Sequence, residues 1–387
     1  MKMTTSFILF LIGSLVTGFA DSWAVKMGLT TARHGTTGAA ACNAFFVIDG
    51  NSGGGENETF DPAVNIWRHR THDPVSRTAV ACAVVDNKIY VIGGTSNSTT
   101  NNMYDPNTDT WTLKAPMPTG RYDLACVALN NKIYAIGGTG GNNVMEVYDP
   151  QTNTWATCPS MPHPRTGLGA AVINGKIYAI GGDGGGFVSY NDVYDTTTHT
   201  WSTAAPMPTA RGYMVCVAMD SVLYSISGYS GGNHVTTNEM YDPRTNTWQT
   251  KAPILVPRKG PGSAVLRNKI YVAAGSNSEY LTECEEYTPD GYVDAVEEEY
   301  QAVRDRNDYY ARMDSRQVWL NFTGDLGQPV RVVLYDVCGR IVDEWRATSS
   351  RMVNLKPGNA GNYAGGVYLI SVISPETRIT KKIVCSM

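Results

Sequence analysis

The heptad Lys-Ile-Tyr-Val-Ile-Gly-Gly at residues 88–94 is the main indicator of the fold, because it recurs along the chain. Close copies begin at residues 132 and 176, and more divergent copies begin at residues 44, 222 and 269. Successive copies are therefore 44, 44, 44, 46 and 47 residues apart. A period of this length predicts a repeat architecture, in which each repeat is a small unit that buries its core against its neighbours.

Four markers recur in the same order in these repeats. A leading Arg precedes an apolar run, a turn and the heptad. A Gly-rich loop of variable sequence follows, then an aromatic residue and, seven residues later, a Trp. The leading arginines are Arg33, Arg77, Arg121, Arg165, Arg211 and Arg258, and the tryptophans are Trp67, Trp111, Trp155, Trp201 and Trp248. Turn residues between the short apolar runs divide each repeat into four antiparallel strands, called a to d in chain order.

The Tyr and Gly-Gly of the heptad, with the Tyr and Trp downstream, resemble the pattern of kelch repeats over residues 23–292. The resemblance implies a β-propeller, in which four-stranded units stack radially around an axis. Six concordant copies predict six blades.

The two ends of the repeat region predict how the propeller closes. The sixth repeat reaches Tyr287 but has no Trp after it, whereas Trp23 lies ten residues before Arg33, the same offset as Trp248 to Arg258. We therefore expect residues 22–27 to supply strand d of the last blade, which removes the open sheet edge. The fold predicted for residues 21–293 is an all-β, six-bladed kelch β-propeller closed by the N-terminal strand.

The composition and the N-terminus narrow the class of protein. A net charge of −4 and a pI of about 5.9 do not favour nucleic acid or an anionic membrane surface as a partner. Residues 1–20 combine a basic start, a short apolar run and a small residue before Asp21, which is typical of a secretory signal peptide cleaved near Ala20. The alternatives are a buried N-terminal strand and a retained anchor. No transmembrane segment is expected in the mature chain, because no later stretch approaches the about 20 apolar residues that a spanning helix needs.

The C-terminal part departs from the repeat. Residues 294–316 are rich in charge and predict a linker, with a possible short helix over residues 296–303. Strand patterns return over residues 317–387 and predict a small β-sandwich.

These C-terminal strands resemble the sorting domain of the bacterial type IX secretion system. An apolar-Tyr-Asp-x-x-Gly-Arg stretch, a Gly-x-Tyr strand and a Lys-Lys-apolar end carry the resemblance, matched here by Gly339, Arg340, Gly366, Tyr368, Lys381 and Lys382. The resemblance implies that the secretion machinery is a partner and that the protein is secreted or attached to a bacterial cell surface. The alternative is an accessory β-sandwich without a targeting role.

Three cysteines occupy one position of the repeat. Cys82, Cys126 and Cys216 each lie seven residues before the Ile or Leu of the heptad, where the other copies have Gly38, Ala170 and Ser263. This position requires a small buried side chain, and a free Cys suits it, so these thiols are predicted to be unpaired. For Cys338 and Cys385 the sequence leaves both a disulfide bond and free thiols open.

The leading arginines allow two interpretations. They could form a cationic ring that binds carboxylates or acidic sugars on the face built by the d-to-a and b-to-c connections. Alternatively, every blade has the Arg because every blade needs it as an anchor at the start of strand a.

Function in a propeller is expected where the repeats differ, and the differences lie in the loops of that face. The candidate contact residues are Tyr122, Asp123, Asp183, Phe187, Tyr190, Tyr213, Tyr229 and Tyr280, with Arg121 and Arg211 of the leading series. Exposed aromatic side chains beside charges are the usual anchors of a binding surface. The alternative is that these residues only decorate flexible loops.

The sequence contains no motif of a known catalytic or metal site. His34, His163 and His234 should share the loop face, but their spacing does not indicate a metal site, and a structural or solvent-facing role is favoured. The stretch 105–109 begins like a calcium loop but lacks the later Gly and Glu. His69 and His72 fall in a connection between blades, and the sequence gives no stronger indication of a metal or catalytic site there. Neither a cofactor, a metal nor a catalytic residue is predicted.

The predicted function is a secreted or cell-surface binding protein that docks a protein or glycan on the loop face. The alternative is an extracytoplasmic sugar-active enzyme, since some kelch propellers are mutarotases. The copper ligands of the galactose oxidases cannot be matched residue by residue here.

Overall fold

The computed structural model describes residues 21–51, 54–96 and 98–290, together with seven strands between residues 309 and 386. Every regular element among them is a β-strand, so the predicted all-β fold class is confirmed. The predicted signal peptide and the predicted helix at 296–303 lie outside the described residues.

The strands of the first five blades follow one another along the chain. Strand β1 (Ser22–Lys26) precedes the first of them, which comprises β2 (Thr37–Ala41), β3 (Ala44–Ile48), β4 (Asn57–Asp61) and β5 (Ile66–His69). Blade two comprises β6 (Ala81–Val85), β7 (Lys88–Ile92), β8 (Asn101–Asp105) and β9 (Thr110–Leu113). Blade three comprises β10 (Ala125–Leu129), β11 (Lys132–Ile136), β12 (Met145–Asp149) and β13 (Thr154–Cys158). Blade four comprises β14 (Gly169–Ile173), β15 (Lys176–Ile180), β16 (Asn191–Asp195) and β17 (Thr200–Thr203). Blade five comprises β18 (Val215–Met219), β19 (Val222–Ile226), β22 (Asn238–Asp242) and β23 (Thr247–Lys251), with β20 (Tyr229–Ser230) and β21 (Asn233–His234) as a hairpin in its b-to-c loop.

The sixth blade confirms the predicted closure. Its strands are β24 (Gly262–Leu266), β25 (Lys269–Ala273), β26 (Cys284–Thr288) and, as strand d, β1 from the N-terminus. Trp23 lies opposite Tyr287 in the antiparallel pairing of β1 with β26. The indole Nε1 of Trp23 donates to the carbonyl of Ala252, at 2.8 Å, as the indole of Trp248 donates to the carbonyl of Ala205 at 2.9 Å. The N-terminal strand therefore replaces the missing Trp strand in both pairing and packing.

The core lies between blades rather than within them. The a strands β2, β6, β10, β14, β18 and β24 contact one another in turn around the axis. Between blades two and three, Tyr90 and Ile92 pack against Ile133, Ala135 and Tyr148 in one buried cluster. Equivalent clusters fill the other junctions, so each blade buries both faces only when its neighbours are present.

The Gly-Gly of the heptad has a specific role at these junctions. The Gly that ends each copy donates its N–H to the carbonyl of the leading Arg in the next blade, as Gly94 does to Arg121 at 2.9 Å. Gly94 adopts a φ of 117°, a conformation that residues with a Cβ rarely take. A Cβ there would also lie 3.0–3.1 Å from side-chain atoms of Val80 and Arg77. The heptad therefore ends in Gly because the chain must leave strand b and bond to the neighbouring blade.

The cysteine prediction is confirmed. Cys82, Cys126 and Cys216 are free thiols on the a strands, and burial raises the pKa of Cys82 to about 11 and of Cys216 to about 12. Space is short at this position, because a Cβ on Gly38 would lie 2.2 Å from the backbone nitrogen of Ser263. Only small side chains fit between adjacent a strands there.

The C-terminal strands form a separate sheet. Its strands are β27 (Tyr309–Asp314), β28 (Val318–Phe322), β29 (Val330–Asp336), β30 (Ile341–Ala347), β31 (Met352–Leu355), β32 (Gly366–Ile373) and β33 (Arg378–Ser386), in the order β30-β29-β32-β33-β27-β28-β31. Of the predicted sorting residues, Gly366 and Tyr368 lie on β32, where Tyr368 pairs with Ile383, while Lys381 and Lys382 lie on β33. Cys338, Gly339 and Arg340 lie outside the described residues. In the part of the chain that the structure describes, no helix is long and apolar enough to cross a bilayer.

Candidate functional site

The leading arginines lie inside the blades. Arg121 and Arg211 have no exposed surface. Arg121 donates to the Glu146 carboxylate at 2.7 Å and to the Gly137 carbonyl at 2.9 Å, and Arg211 pairs with Glu239 in the same way. This corrects the prediction that Arg121 and Arg211 contact a ligand. Each guanidinium donates its hydrogen bonds to a carboxylate on strand c and to backbone carbonyls of its own blade. The structure therefore favours the interpretation of these arginines as anchors within the blade.

In blade two, the carboxylate that pairs with the leading Arg comes from a different part of the chain. Strand c has Glu or Asp at its second position in the other blades, but blade two has Asn102 there. Asp73, from the preceding connection, takes over and lies 2.6 Å from Arg77, and Asn102 donates to it at 2.6 Å. Burial and the neighbouring Asp73 raise the pKa of the fully buried Asp49 carboxyl well above its usual range.

One backbone position in each blade joins a closed ring of hydrogen bonds around the axis. The position lies two residues after the leading Arg, at the end of the d-to-a connection. Each N–H donates to the carbonyl of the same position in the preceding blade, at 2.7–2.9 Å. The members of this axial ring are Gly35, Ala79, Asp123, Gly167, Tyr213 and Gly260.

Two members of the axial ring, Asp123 and Tyr213, carry side chains larger than a methyl group. All six have a φ between 51° and 64°, which suits Gly but is unfavourable for residues with a Cβ. Asp123 and Tyr213 nevertheless occupy this conformation, and the ring of Tyr213 lies against Gly167, where a Cβ would be 2.7 Å from the tyrosine Cε1. Strained non-glycine residues of this kind cluster at functional sites.

A second layer surrounds the axial ring. The residue directly after each leading Arg pairs with the b-to-c loop of the same blade, and these pairs include Tyr122 with Thr139, Thr166 with Asp183, Gly212 with Tyr229 and Lys259 with Ser276. The layer brings together side chains from four blades that are separated by up to about 150 residues in sequence.

Burial and nearby charges, including that of Lys259, set the electrostatics of this end. Burial raises the pKa of Asp123 to about 6, and the positive charge of Lys259 opposes that shift. Burial, followed by the charges of Asp123 and Asp183, raises the pKa of the Tyr213 phenol to about 12. Burial and Lys259 both lower the pKa of His34 and of His234. A carboxyl that ionises near neutral pH thus lies near an ammonium group and a neutral phenol.

Aromatic side chains form one wall of the site. Phe187 contacts Tyr213 and Tyr229 edge to face, with ring centroids 6.4 and 5.7 Å apart. The Lys259 Nζ lies 5.0 Å from the centroid of the Tyr229 ring, and His234 packs against the same ring at 4.9 Å. The wall can stack on an apolar or sugar ring while the polar groups bond to its edge.

Two predicted residues of this face each stack on a histidine. Tyr190 stacks on His163 at 3.9 Å and is 38% exposed, and Tyr280 stacks on His34 at 4.7 Å and is 47% exposed. His34, His163 and His234 therefore each pack on a tyrosine, which agrees with the structural role expected for them.

The structure thus brings Asp123, Asp183, Phe187, Tyr213 and Tyr229 together, with Tyr122 close enough for its charge to act on Tyr213, whereas Tyr190 and Tyr280 pack on His163 and His34. Sequence reasoning missed Lys259. The repeat alignment could have indicated it, because the residue after the leading Arg varies among the copies and is a Lys only in the sixth.

Comparison with known proteins supports the fold. A family model described as the KLHDC2/KLHL20/DRC7 Kelch-repeats domain matches residues 35–207 and 160–293, which together span more than half of the 387 residues. The chain belongs to the kelch-repeat family.

A solved structure titled "Structure of YjhT" resembles this kelch protein with a TM-score of 0.60. The likeness covers 66% of this chain and 95% of the other, at 16% sequence identity, and it shows a shared fold. No curated protein matches the sequence.

Proposed function

We propose that this kelch protein is an exported binding protein that holds a protein or glycan segment at the axial end of its loop face. One observation carries the proposal. The axial ring is built for Gly or Ala, yet blades three and five place Asp123 and Tyr213 on it despite the unfavourable backbone conformation. The fold does not need these side chains, since the other four blades close the same hydrogen bonds without them.

The chemistry of the site favours a ligand with both a ring and polar substituents. Phe187 and Tyr229 offer aromatic contact area, while Asp123, Asp183 and Lys259 offer a hydrogen-bond acceptor and a charged donor. Aromatic anchors ringed by polar groups are typical of binding hot spots.

A consensus variant tests the proposal. Asp123→Gly with Tyr213→Gly gives both blades the residue found in blades one, four and six, so the variant should fold normally and lose binding in glycan-array and pull-down assays. A Lys132→Ala, Gln151→Ala variant on the opposite face is the matched control and should bind as the wild type does. Full binding by the glycine variant would contradict the assignment of the site.

A sugar-active enzyme is the second candidate, because the pKa of Asp123 is raised to about 6 and general acid–base catalysis works best with a pKa near the working pH. The assay is interconversion of sugar anomers, followed by NMR on the mature chain. Turnover that disappears in Asp123→Asn, with binding retained, would favour the enzyme over the binding protein.

We propose export because of sequence features at both ends of the chain. The N-terminal leader would be cleaved after residue 20, and residues 317–387 would act as the sorting domain. Intact mass of the protein recovered from a bacterial culture should lack the leader. Deletion of residues 318–387 should retain the protein in the periplasm, and surface display of the truncated protein would refute the sorting role.

A further inference from the structure

We propose that Glu56, His69 and His72 bind a divalent transition-metal ion such as Zn²⁺ at the rim of blade one. The Oε2 atom of Glu56 lies 3.5 Å from Nε2 of His72 and 4.0 Å from Nδ1 of His69. All three potential ligand atoms lie within 4.8 Å of one another. Ligands at about 2.0–2.1 Å in a tetrahedral zinc site are about 3.4 Å apart, so modest side-chain movements complete the geometry.

The hydrogen bond of His72 prepares its ring for a metal. Its Nδ1 lies 3.0 Å from the carbonyl oxygen of Gly54. A carbonyl only accepts, so Nδ1 carries the proton and Nε2 presents its lone pair toward Glu56. Metal-binding histidines in proteins are oriented by this type of bond from the second ring nitrogen.

A series of hydrogen bonds orients the ring of His69 for metal binding in a similar way. Its Nε2 lies 3.1 Å from the hydroxyl oxygen of Thr30, and that hydroxyl donates its own proton to Glu58. The hydroxyl must therefore accept from Nε2–H of His69, which leaves Nδ1 free to coordinate. Glu58 is held in turn by the buried Arg33, with which it forms an ion pair.

The two histidines are not part of the repeat pattern. At the positions of His69 and His72, the other blades have Leu113, Thr157, Thr203, Thr250 and Val25, and Pro116, Ser160, Pro206, Pro253 and Gly28. The scaffold therefore does not require histidine at either place. Glu56 precedes strand c, whereas His69 ends strand d and His72 lies in the connection to blade two. A bound ion would tie the b-to-c loop of blade one to that connection.

The donor set and the exposure indicate the class of ion. Two imidazoles and a carboxylate suit Zn²⁺, Cu²⁺ or Ni²⁺ better than Ca²⁺ or Mg²⁺, which prefer oxygen ligands. The side chains of His69 and His72 are 57% and 48% exposed, against 18% for Glu56. A fourth position would remain open to water or to a donor atom from a bound partner.

The test is metal titration of the untagged mature chain with Zn²⁺ by calorimetry and with Co²⁺ by visible absorption. Wild-type protein should bind one ion and give a Co²⁺ d–d spectrum with a nitrogen ligand contribution. His69→Gln, His72→Gln and Glu56→Gln should each weaken affinity at least tenfold, with circular dichroism unchanged.

Two further variants make the test specific. Thr30→Val removes the acceptor that orients His69, and it should weaken binding several-fold although Thr30 is not a ligand. His234→Gln, a histidine on the same face outside the cluster, should bind as the wild type does. The proposal is overturned if the wild type binds no ion below millimolar concentration, or if the Gln variants of the cluster retain wild-type affinity.

Discussion

Replacing Asp123 with Asn should make the protein more stable at neutral pH. Burial raises the pKa of the Asp123 carboxyl from 3.8 to about 6 in the folded state. A shift of about 2 units corresponds to about 3 kcal/mol, at 1.36 kcal/mol for each unit. This figure is an upper bound, because the side chain keeps some contact with solvent.

The sign follows from proton linkage. Between pH 4 and pH 6 the folded state holds a proton on Asp123 that the unfolded chain has released, so stability falls as pH rises through this window. Above it the full cost of the buried charge is present. Asn cannot ionise, and it tolerates the φ of 51° at this position, so the variant escapes the cost without new backbone strain.

The assay is urea denaturation of wild type and Asp123→Asn at pH 4 and at pH 7.5. The variant should gain up to about 3 kcal/mol of unfolding free energy at pH 7.5 and almost none at pH 4. Titrating groups that do not interact with Asp123 cancel in the difference. A gain of equal size at both pH values, or a loss at pH 7.5, would refute the reasoning.

Two further predictions concern the scaffold. Trp23→Ala should lower the unfolding free energy by about 3 kcal/mol, as Trp248→Ala should, because both indoles lie 5.1 Å from a strand-c tyrosine and bond to a backbone carbonyl. Urea denaturation measures both, and a negligible effect of Trp23→Ala alone would mean that β1 does not close the ring. Asp73→Asn should cost about 3 kcal/mol by depriving the buried Arg77 of its hydrogen-bonded carboxylate, since Asp49 lies farther away at 3.7 Å, and Asn102→Glu in the same chain should recover most of it. A double-mutant cycle measures the coupling, and additive effects of the two changes would show that the carboxylate was not relocated.

The fold was predictable from the sequence because it is encoded locally and repeated. Each heptad specifies a buried strand b, and each Trp specifies a strand d. The position of Trp23, ten residues before Arg33, was enough to predict closure by the N-terminus, since the same offset recurs within the repeats. A copy whose sequence has diverged can still be recognised by alignment with the clearer copies.

The role of the arginines was not predictable in the same way. Repetition made Arg121 and Arg211 conspicuous, but a repeated charge can face solvent or a buried carboxylate. The choice depends on Glu146 and Glu239, which lie on strand c and reach the guanidinium only after the blade has folded.

The six repeats, their four strands and the loop face on which they differ can all be predicted from the sequence. Which of those loop residues meet depends on the tertiary structure. Asp123, Tyr213 and Lys259 come from three blades, and they converge because all six blades close one ring of backbone hydrogen bonds around the axis. That ring depends on every blade at once, so no single stretch of sequence specifies it.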